Sequence, residues 1–253
     1  MSRRGVRVSD PSRWVFNRLA EDYRQRPGYP APLVARLLSL AGGPRARVAD
    51  LGAGTGQIAL PLAALGVEVH AVEPARAMLD VLASARAPGV TAVHAAAEET
   101  GLAGGAFELV VLADALQWVD PQRGAREAAR LLSPAGVLAI VTSRLADTPF
   151  LAALKERIAV ANFKARPAPP PVGLLFSVAG LAAPAAERFE AEERLPPERL
   201  EAVLRSLSYV GPALGPQALA ALLADARALA ASHGGAVWRR ELVLEWARAT
   251  RQV

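Results

Sequence analysis

The stretch Val48-Ala49-Asp50-Leu51-Gly52-Ala53-Gly54-Thr55-Gly56 decides how this 253-residue chain is read. Its first four residues, apolar but for one acid, read as a buried strand, and glycine then falls at every second position. Glycine tolerates positive φ and has no Cβ, so a turn of this kind lets backbone come close to a ligand. The apolar run Gln57 to Leu65 reads as a helix closed by Gly66. Its N-terminus would offer free N–H groups and the positive end of a helix dipole, which suit a carboxylate as well as a phosphate.

Spacing separates the ligand classes. Dinucleotide turns use G-x-G-x-x-G. Here the pattern is G-x-G-x-G, with Asp50 two residues before the first glycine. An acid there repels a pyrophosphate and attracts an ammonium. A ligand carrying both an amine and a carboxylate fits better, and the methionine end of S-adenosylmethionine carries both. Seventeen residues beyond Gly56, the next strand, Val67 to Glu73, ends in Val72-Glu73-Pro74. An acid at a strand tip accepts two hydrogen bonds from a ribose diol, which marks a nucleoside, either S-adenosylmethionine or NAD.

Working outward, strands and helices alternate. Helices are expected over Ala75 to Ala87 and Gln122 to Leu132, and strands over Val90 to Val93, Phe107 to Ala113 and Gly136 to Thr142. That alternation implies a parallel sheet with right-handed crossovers. Upstream, residues 11–24 carry Trp14, Val15, Leu19, Ala20 and Tyr23 at near-helical spacing, opened by Asp10-Pro11. Arg26-Pro27-Gly28-Tyr29-Pro30 is a hard break before a second helix, Ala31 to Leu40. Downstream, a helix is expected from Thr148 to Lys164, a stiff proline loop from Arg166 to Pro171, and a strand from Glu187 to Arg194. Helices follow from Pro196-Pro197 to about Ser208 and from Gln217 to Ala231. Val237 to Ala247 closes as a half-buried strand, with Trp238, Leu242, Leu244 and Trp246 on one side. The whole reads as one domain in four segments: an N-terminal helical lid (1–44), a ligand-binding core (45–145), a substrate-side insertion (146–186) and C-terminal strands and helices (187–253).

Composition trims the possibilities. Hydrophobic residues make up 52% of the chain and aromatics 5%, enough apolar matter for a real core built from small side chains. The absence of cysteine excludes disulfides, Cys-ligated zinc and thiolate nucleophiles. His70, His94 and His233 are scattered, so no metal is expected. The formal charge is +5, nearly all of it arginine, with Lys155 and Lys164 the only lysines. Most arginines alternate with Glu or Asp, which favours a solvated surface over a nucleic-acid face. The basic Ser2 to Arg7 tail lacks the apolar region of a signal peptide. Residues 206–224 are long and weakly polar, but Gly211, Pro212, Gly215 and Pro216 interrupt them, against a membrane span. A cytoplasmic protein with no membrane partner is expected, monomer or homodimer left open.

The first motif resembles that of class I S-adenosylmethionine-dependent methyltransferases, in the small-molecule branch of the ubiquinone- and biotin-pathway and trans-aconitate enzymes. The likeness runs over roughly residues 14–145. Phe16-x-x-x-Ala20-x-x-Tyr23 with Arg26-Pro27-Gly28-Tyr29-Pro30 resembles the family's lid. Ala75-x-x-Met78-Leu79 resembles the helix after the ribose acid, Ala97-Glu98 the loop at the adenine edge, and Ala113-Asp114-Ala115-Leu116-Gln117-Trp118 the motif beneath the sulfonium. The resemblance implies an α/β fold, Rossmann-like and doubly wound, with a mostly parallel seven-stranded sheet, the helical lid and an antiparallel C-terminal strand. It implies S-adenosylmethionine as cofactor, S-adenosylhomocysteine as product and a small-molecule acceptor. Asp50, Gly52, Ala53, Gly54 and Gly56 would hold the amino-acid end, Glu73 and Pro74 the ribose, and Met78, Ala97 and Glu98 the adenine. Tyr23, Tyr29, Asp114, Gln117 and Trp118 would face the sulfur and the acceptor, with Tyr23 and Asp114 touching the cofactor as well.

Two departures stand out. Ala96 occupies the place where the family often has an adenine-reading Asp, and Gln117 the place where many relatives have His. Glutamine is no general base near neutral pH, so positioning is expected to carry the reaction, and no catalytic residue is assigned. The competing readings are a protein that binds S-adenosylmethionine without transferring methyl (pericyclase-like or regulatory), a nicotinamide dehydrogenase and an RNA methyltransferase.

Overall fold

The computed structural model describes residues 15–163 and 171–249. Asp10, Pro11, Trp14, the basic tail, Lys164 and the loop from Arg166 to Pro170 lie outside the described residues.

Seven strands form one sheet: β1 (Arg47–Leu51), β2 (Glu68–Val72), β3 (Val90–Val93), β4 (Phe107–Ala113), β5 (Leu132–Leu145), β6 (Ala185–Leu195) and β7 (Ala236–Arg248), in the order β3-β2-β1-β4-β5-β7-β6. Pairings among β1 to β5 are parallel, and β7 runs antiparallel to both its neighbours. The mostly parallel, doubly wound sheet with an antiparallel last strand is therefore present. The short apolar runs become central strands because helices cover both faces. Val48, Ala49 and Leu51 are fully buried.

On one face lie α2 (Ala31–Ala41), α3 (Ala59–Ala64) and α4 (Arg76–Ser84), whose Leu37, Leu62 and Leu82 share a core with Val48, Leu109, Ala139 and Leu244. On the other, α5 (Pro121–Leu131) and α7 (Val172–Val178) pack on Val110, Leu112 and Ile140. A satellite core joins α6 (Pro149–Ala161), α8 (Pro197–Ser206) and α9 (Pro216–Ser232) around Trp238. The lid helix α1 (Phe16–Tyr23) lies on α4 through Leu19, Ala20 and Met78. No described helix is long and apolar enough to cross a membrane.

Several boundaries move for identifiable reasons. The helix expected from Gln57 begins at Ala59, because Gly52, Gly54 and Gly56 all have positive φ and the chain is still turning. The helix expected to reach Ala87 ends at Ser84, and Arg86 turns out at φ +47°. Strand β5 starts at Leu132 rather than Gly136, because Leu132 already pairs with Phe107 before the register shifts. Helix α7 has no counterpart in the sequence reading. Its seven residues are too few to show a helical period, yet Leu175 and Phe176 are buried against the sheet. A one-turn 3₁₀ helix, Leu116–Trp118, likewise follows β4 without a sequence signal.

Candidate functional site

The site lies at the carboxyl ends of the parallel strands, where β1 and β4, neighbours in the sheet, send their chains to opposite faces. Ligands of open α/β sheets bind at such a crevice. A cleft there encloses about 590 Å³ of empty space, counting the solvent at its mouth.

The glycine turn forms its floor. Gly52 has φ +79°, and a Cβ on it would lie 2.6 Å from Cβ of Ala115. Gly54 has φ +57°, and a Cβ there would press to 3.3 Å from the Tyr23 ring. Both glycines face the cleft. Gly56 does not line it; a Cβ there would meet Leu82 and Leu60 at 2.4 and 2.9 Å, so this glycine lets α3 and α4 close together. Nor does Ala53 line the cleft.

Most amides of the turn itself are engaged within the protein. The N–H groups of Gly52 and Ala53 donate to the Val72 carbonyl at 2.8 and 3.0 Å, and that of Gly56 to Ala53. What the turn offers is a surface without side chains. The Gly54 N–H donates to Oε2 of Glu73 at 3.0 Å, while the Ala75 N–H donates to Oε1 at 2.8 Å. Glu73 is thus held at the β2 tip, buried yet lining the cleft beside Pro74. A carboxylate oxygen can accept more than one hydrogen bond, so this fixed position is compatible with a ligand hydroxyl.

Asp50 sits beneath the turn at 1% exposure, and its Oδ2 has no hydrogen-bond partner among the described residues. Burial first, and the Glu73 carboxylate second, push its pKa up to about 7, against a backbone hydrogen bond from Ala59. A buried carboxyl with an unmet oxygen is costly unless something completes it. Asp50 does not itself line the open cleft.

Met78 on α4, Ala97 and Glu98 form one side wall. Their loop is fixed at two points. Oε1 of Glu98 accepts the Asp120 N–H at 2.9 Å, at the start of α5. Oε1 of Glu127, on α5, accepts from both the Thr100 N–H (2.9 Å) and hydroxyl (2.6 Å).

Asp114 follows β4 at φ +50°. Its Oδ1 accepts the Ser143 N–H at 2.7 Å, and its Oδ2 accepts the hydroxyls of Ser143 (2.6 Å) and Tyr29 (2.9 Å). The carboxylate therefore ties β5 to the lid segment. Burial, then the Asp114 charge, push the Tyr29 phenol well above its ordinary value. Tyr23, Asp114 and Trp118 line the cleft; Tyr29 stands behind Asp114 and does not. Gln117 is exposed and donates to the Asp114 carbonyl at 2.9 Å, outside the cleft. Among the described residues no group of His, Cys, Asp and Glu is placed to hold a metal ion.

Three lining residues are absent from the site expected on sequence: Phe16, Ala115 and Val119. Phe16 is visible in the lid motif, and its ring meets the Trp118 ring edge-on at 5.0 Å. Ala115 belongs to the strand-four motif. Val119 carries no signal, since nothing in the sequence marks the 3₁₀ turn that aims it.

Residues 49–140 match the family described as a methyltransferase domain. Uncharacterized methyltransferases of Mycobacterium bovis and Mycobacterium tuberculosis are each 43% identical over 118 residues, 47% of this chain and 47% of each relative. The chain's match thus spans about half the length of those curated relatives. A candidate type II methyltransferase from Anaeromyxobacter dehalogenans is similar in structure, with a TM-score of 0.66 and 28% identity over 90% of this chain and 99% of that one. The phosphoethanolamine N-methyltransferase 2 of Haemonchus contortus, solved with S-adenosylhomocysteine and phosphomonomethylethanolamine, shares the fold at a TM-score of 0.54 and 16% identity, over 96% of this chain and 58% of that one. The glycine turn and the strand-tip glutamate both lie within residues 49–140, the stretch that is similar to a methyltransferase domain, on a sheet order shared with solved methyltransferases.

Proposed function

We propose that this chain binds S-adenosylmethionine in the cleft and transfers its methyl group to a small-molecule acceptor, chiefly by positioning. The observation that carries the reading is the pair of buried acids around the glycine turn. Asp50 presents an oxygen that no described protein group satisfies, and Glu73 is held at the tip of β2. That donor set fits the cofactor: an acid for its ammonium, an acid for its ribose diol, and a turn without side chains where it must lie close. Gly52 and Gly54 line the cleft with backbone alone.

When bound, S-adenosylmethionine supplies an electrophilic methyl carbon and a neutral thioether leaving group. The chain's own residues then have limited work. Met78, Ala97 and Glu98 frame the adenine. Phe16, Tyr23 and Trp118 close the cleft from the lid side and exclude water. Asp114 accepts from Ser143 and Tyr29 and so ties β5 to the lid segment beside the cleft. Gln117 is turned away from the cleft. We read the four segments as one working unit, since the lid, core and C-terminal strands all meet near Asp114.

Calorimetry tests the reading. S-adenosylhomocysteine should bind and saturate, with NAD giving no heat, and labelled methyl should leave S-adenosylmethionine for an acceptor. Saturation with NAD alone would overturn it.

A further inference from the structure

Helix α1 borders the cleft, and its two ends are held in different ways. Phe16 and Tyr23, its first and last residues, both line the cleft. Near the C-terminal end, Asp22 pairs with Arg205 of α8 at 3.1 Å. Just beyond, Arg26 donates from Nε and Nη2 to the hydroxyl and carbonyl oxygens of Ser206, both at 2.8 Å. Gln57, one residue past the glycine turn, adds a longer contact from its Nε2 to the Tyr23 carbonyl at 3.4 Å. The N-terminal end is held by Asn17, a half-buried residue whose Oδ1 accepts the Ala77 N–H at 3.0 Å.

Ala77 is the second residue of α4, and the first amides of a helix have no partner within it. A side chain at the residue just before the helix ordinarily accepts from that position. Here that residue is Ala75, which has no side-chain acceptor. Glu73 takes the Ala75 N–H, and the Ala77 N–H goes to Asn17 on another helix. The lid therefore completes the first turn of α4. Met78 follows Ala77, is 1% exposed and lines the cleft. Phe16 precedes Asn17, lines the cleft too, and meets the Trp118 ring edge-on at 5.0 Å. One hydrogen bond thus joins the backbone that carries Phe16 to the backbone that carries Met78.

We propose that Asn17 is a positioning residue that latches α1 over bound S-adenosylmethionine, and so sets how fast the cofactor and its product leave. The proposal rests on the methyltransferase reading above. A ligand lying against Phe16 and Met78 is released more readily when α1 lifts. The end of α1 tied to α8 serves as the pivot, and the end held by Asn17 is the one that opens. Exchanging one neutral hydrogen bond for contacts with water shifts an equilibrium by about fivefold. A latch of that strength holds the closed form and still releases it in each cycle.

Stopped-flow kinetics with S-adenosylhomocysteine as the probe test this on Asn17→Ala and Asn17→Asp. In Asn17→Ala the dissociation rate should rise about fivefold, with the association rate unchanged. Asn17→Asp keeps an acceptor oxygen of the same reach, and a carboxylate suits the start of a helix, so it should restore the slow dissociation. Saturating S-adenosylhomocysteine should slow exchange of the Ala77 amide in the unaltered chain and in Asn17→Asp, but not in Asn17→Ala. A merely structural role would lower the urea midpoint of Asn17→Ala and leave its dissociation rate alone. That result, or dissociation from Asn17→Asp as fast as from Asn17→Ala, would overturn the proposal. Lack of heat with S-adenosylhomocysteine in calorimetry on the unaltered chain would instead remove the reading beneath it.

Discussion

Two carboxyls meet at the glycine turn, and their proximity makes one of them sensitive to pH. Asp50 titrates near 7, raised by burial and by Glu73. In the folded chain it holds a proton between its ordinary value of 3.8 and about 7, where the unfolded chain has lost it. By linkage, its contribution to the ligand-free chain's stability falls as pH rises through that window. Asp50→Asn should therefore raise Tm at pH 8, by about 2–4 °C for each kcal/mol recovered at this size. The same variant should weaken S-adenosylhomocysteine binding at least tenfold and flatten the rise in affinity expected of the unaltered chain between pH 6 and pH 8. Thermal melts and calorimetry at the two pH values check both. Gly52→Ala is the complementary case. Its Cβ would collide with Ala115 at a φ that only glycine adopts easily. Overpacking alone costs about 1–3 kcal/mol, and strain at that φ adds to it. A lowered urea midpoint together with lost S-adenosylhomocysteine binding is the expected outcome.

Among the elements, the wall loop and α5 form a clamp that no single segment of sequence announces. Burial alone would raise the Glu127 pKa, but the Arg130 guanidinium and the Thr100 hydroxyl and N–H together hold it down at about 2. Its carboxylate therefore stabilises the fold fully above about 4.5, the ordinary value, and that support is lost as pH falls toward 2. Thr100→Val removes the hydroxyl donor, at a cost of about 1 kcal/mol. Hydrogen exchange should quicken over residues 94–102, and S-adenosylhomocysteine affinity should fall severalfold because Ala97 and Glu98 ride on that loop. Strands and long helices are legible in the sequence because their apolar periods are set by burial on one face or two. The Gly-x-Gly-x-Gly turn and the Glu73 strand tip are legible because few residue types serve there. The Glu127–Thr100 contact is not, since it joins residues 27 apart in the chain and neither has a distinctive neighbourhood. Gly56 shows the converse: its place in the motif suggests ligand contact, but Leu60 and Leu82 account for it.

At the scale of the molecule, several arginines join separate elements through ion pairs. Arg205 on α8 meets Asp22 on α1 at 3.1 Å, and Arg199 donates to the Gln25 carbonyl at 2.9 Å. Arg36 on α2 meets Glu187 on β6 at 2.8 Å. These contacts seat the lid on the C-terminal half. Arg205→Ala should therefore loosen α1, seen as faster amide exchange over Phe16–Tyr23 while the β1 and β4 amides keep their protection. Unchanged α1 exchange would show that its apolar contacts with α4 suffice.

Strand β7, the last of the described strands, lies between β5 and β6. Nothing made before it can complete that side of the sheet. As the polypeptide leaves the ribosome, β6 has no neighbour to join until residues 236–248 emerge and slot in beside β5. Synthesis thus holds the β5–β7–β6 side of the sheet unassembled until late, long after the glycine turn and its two acids have become available to fold.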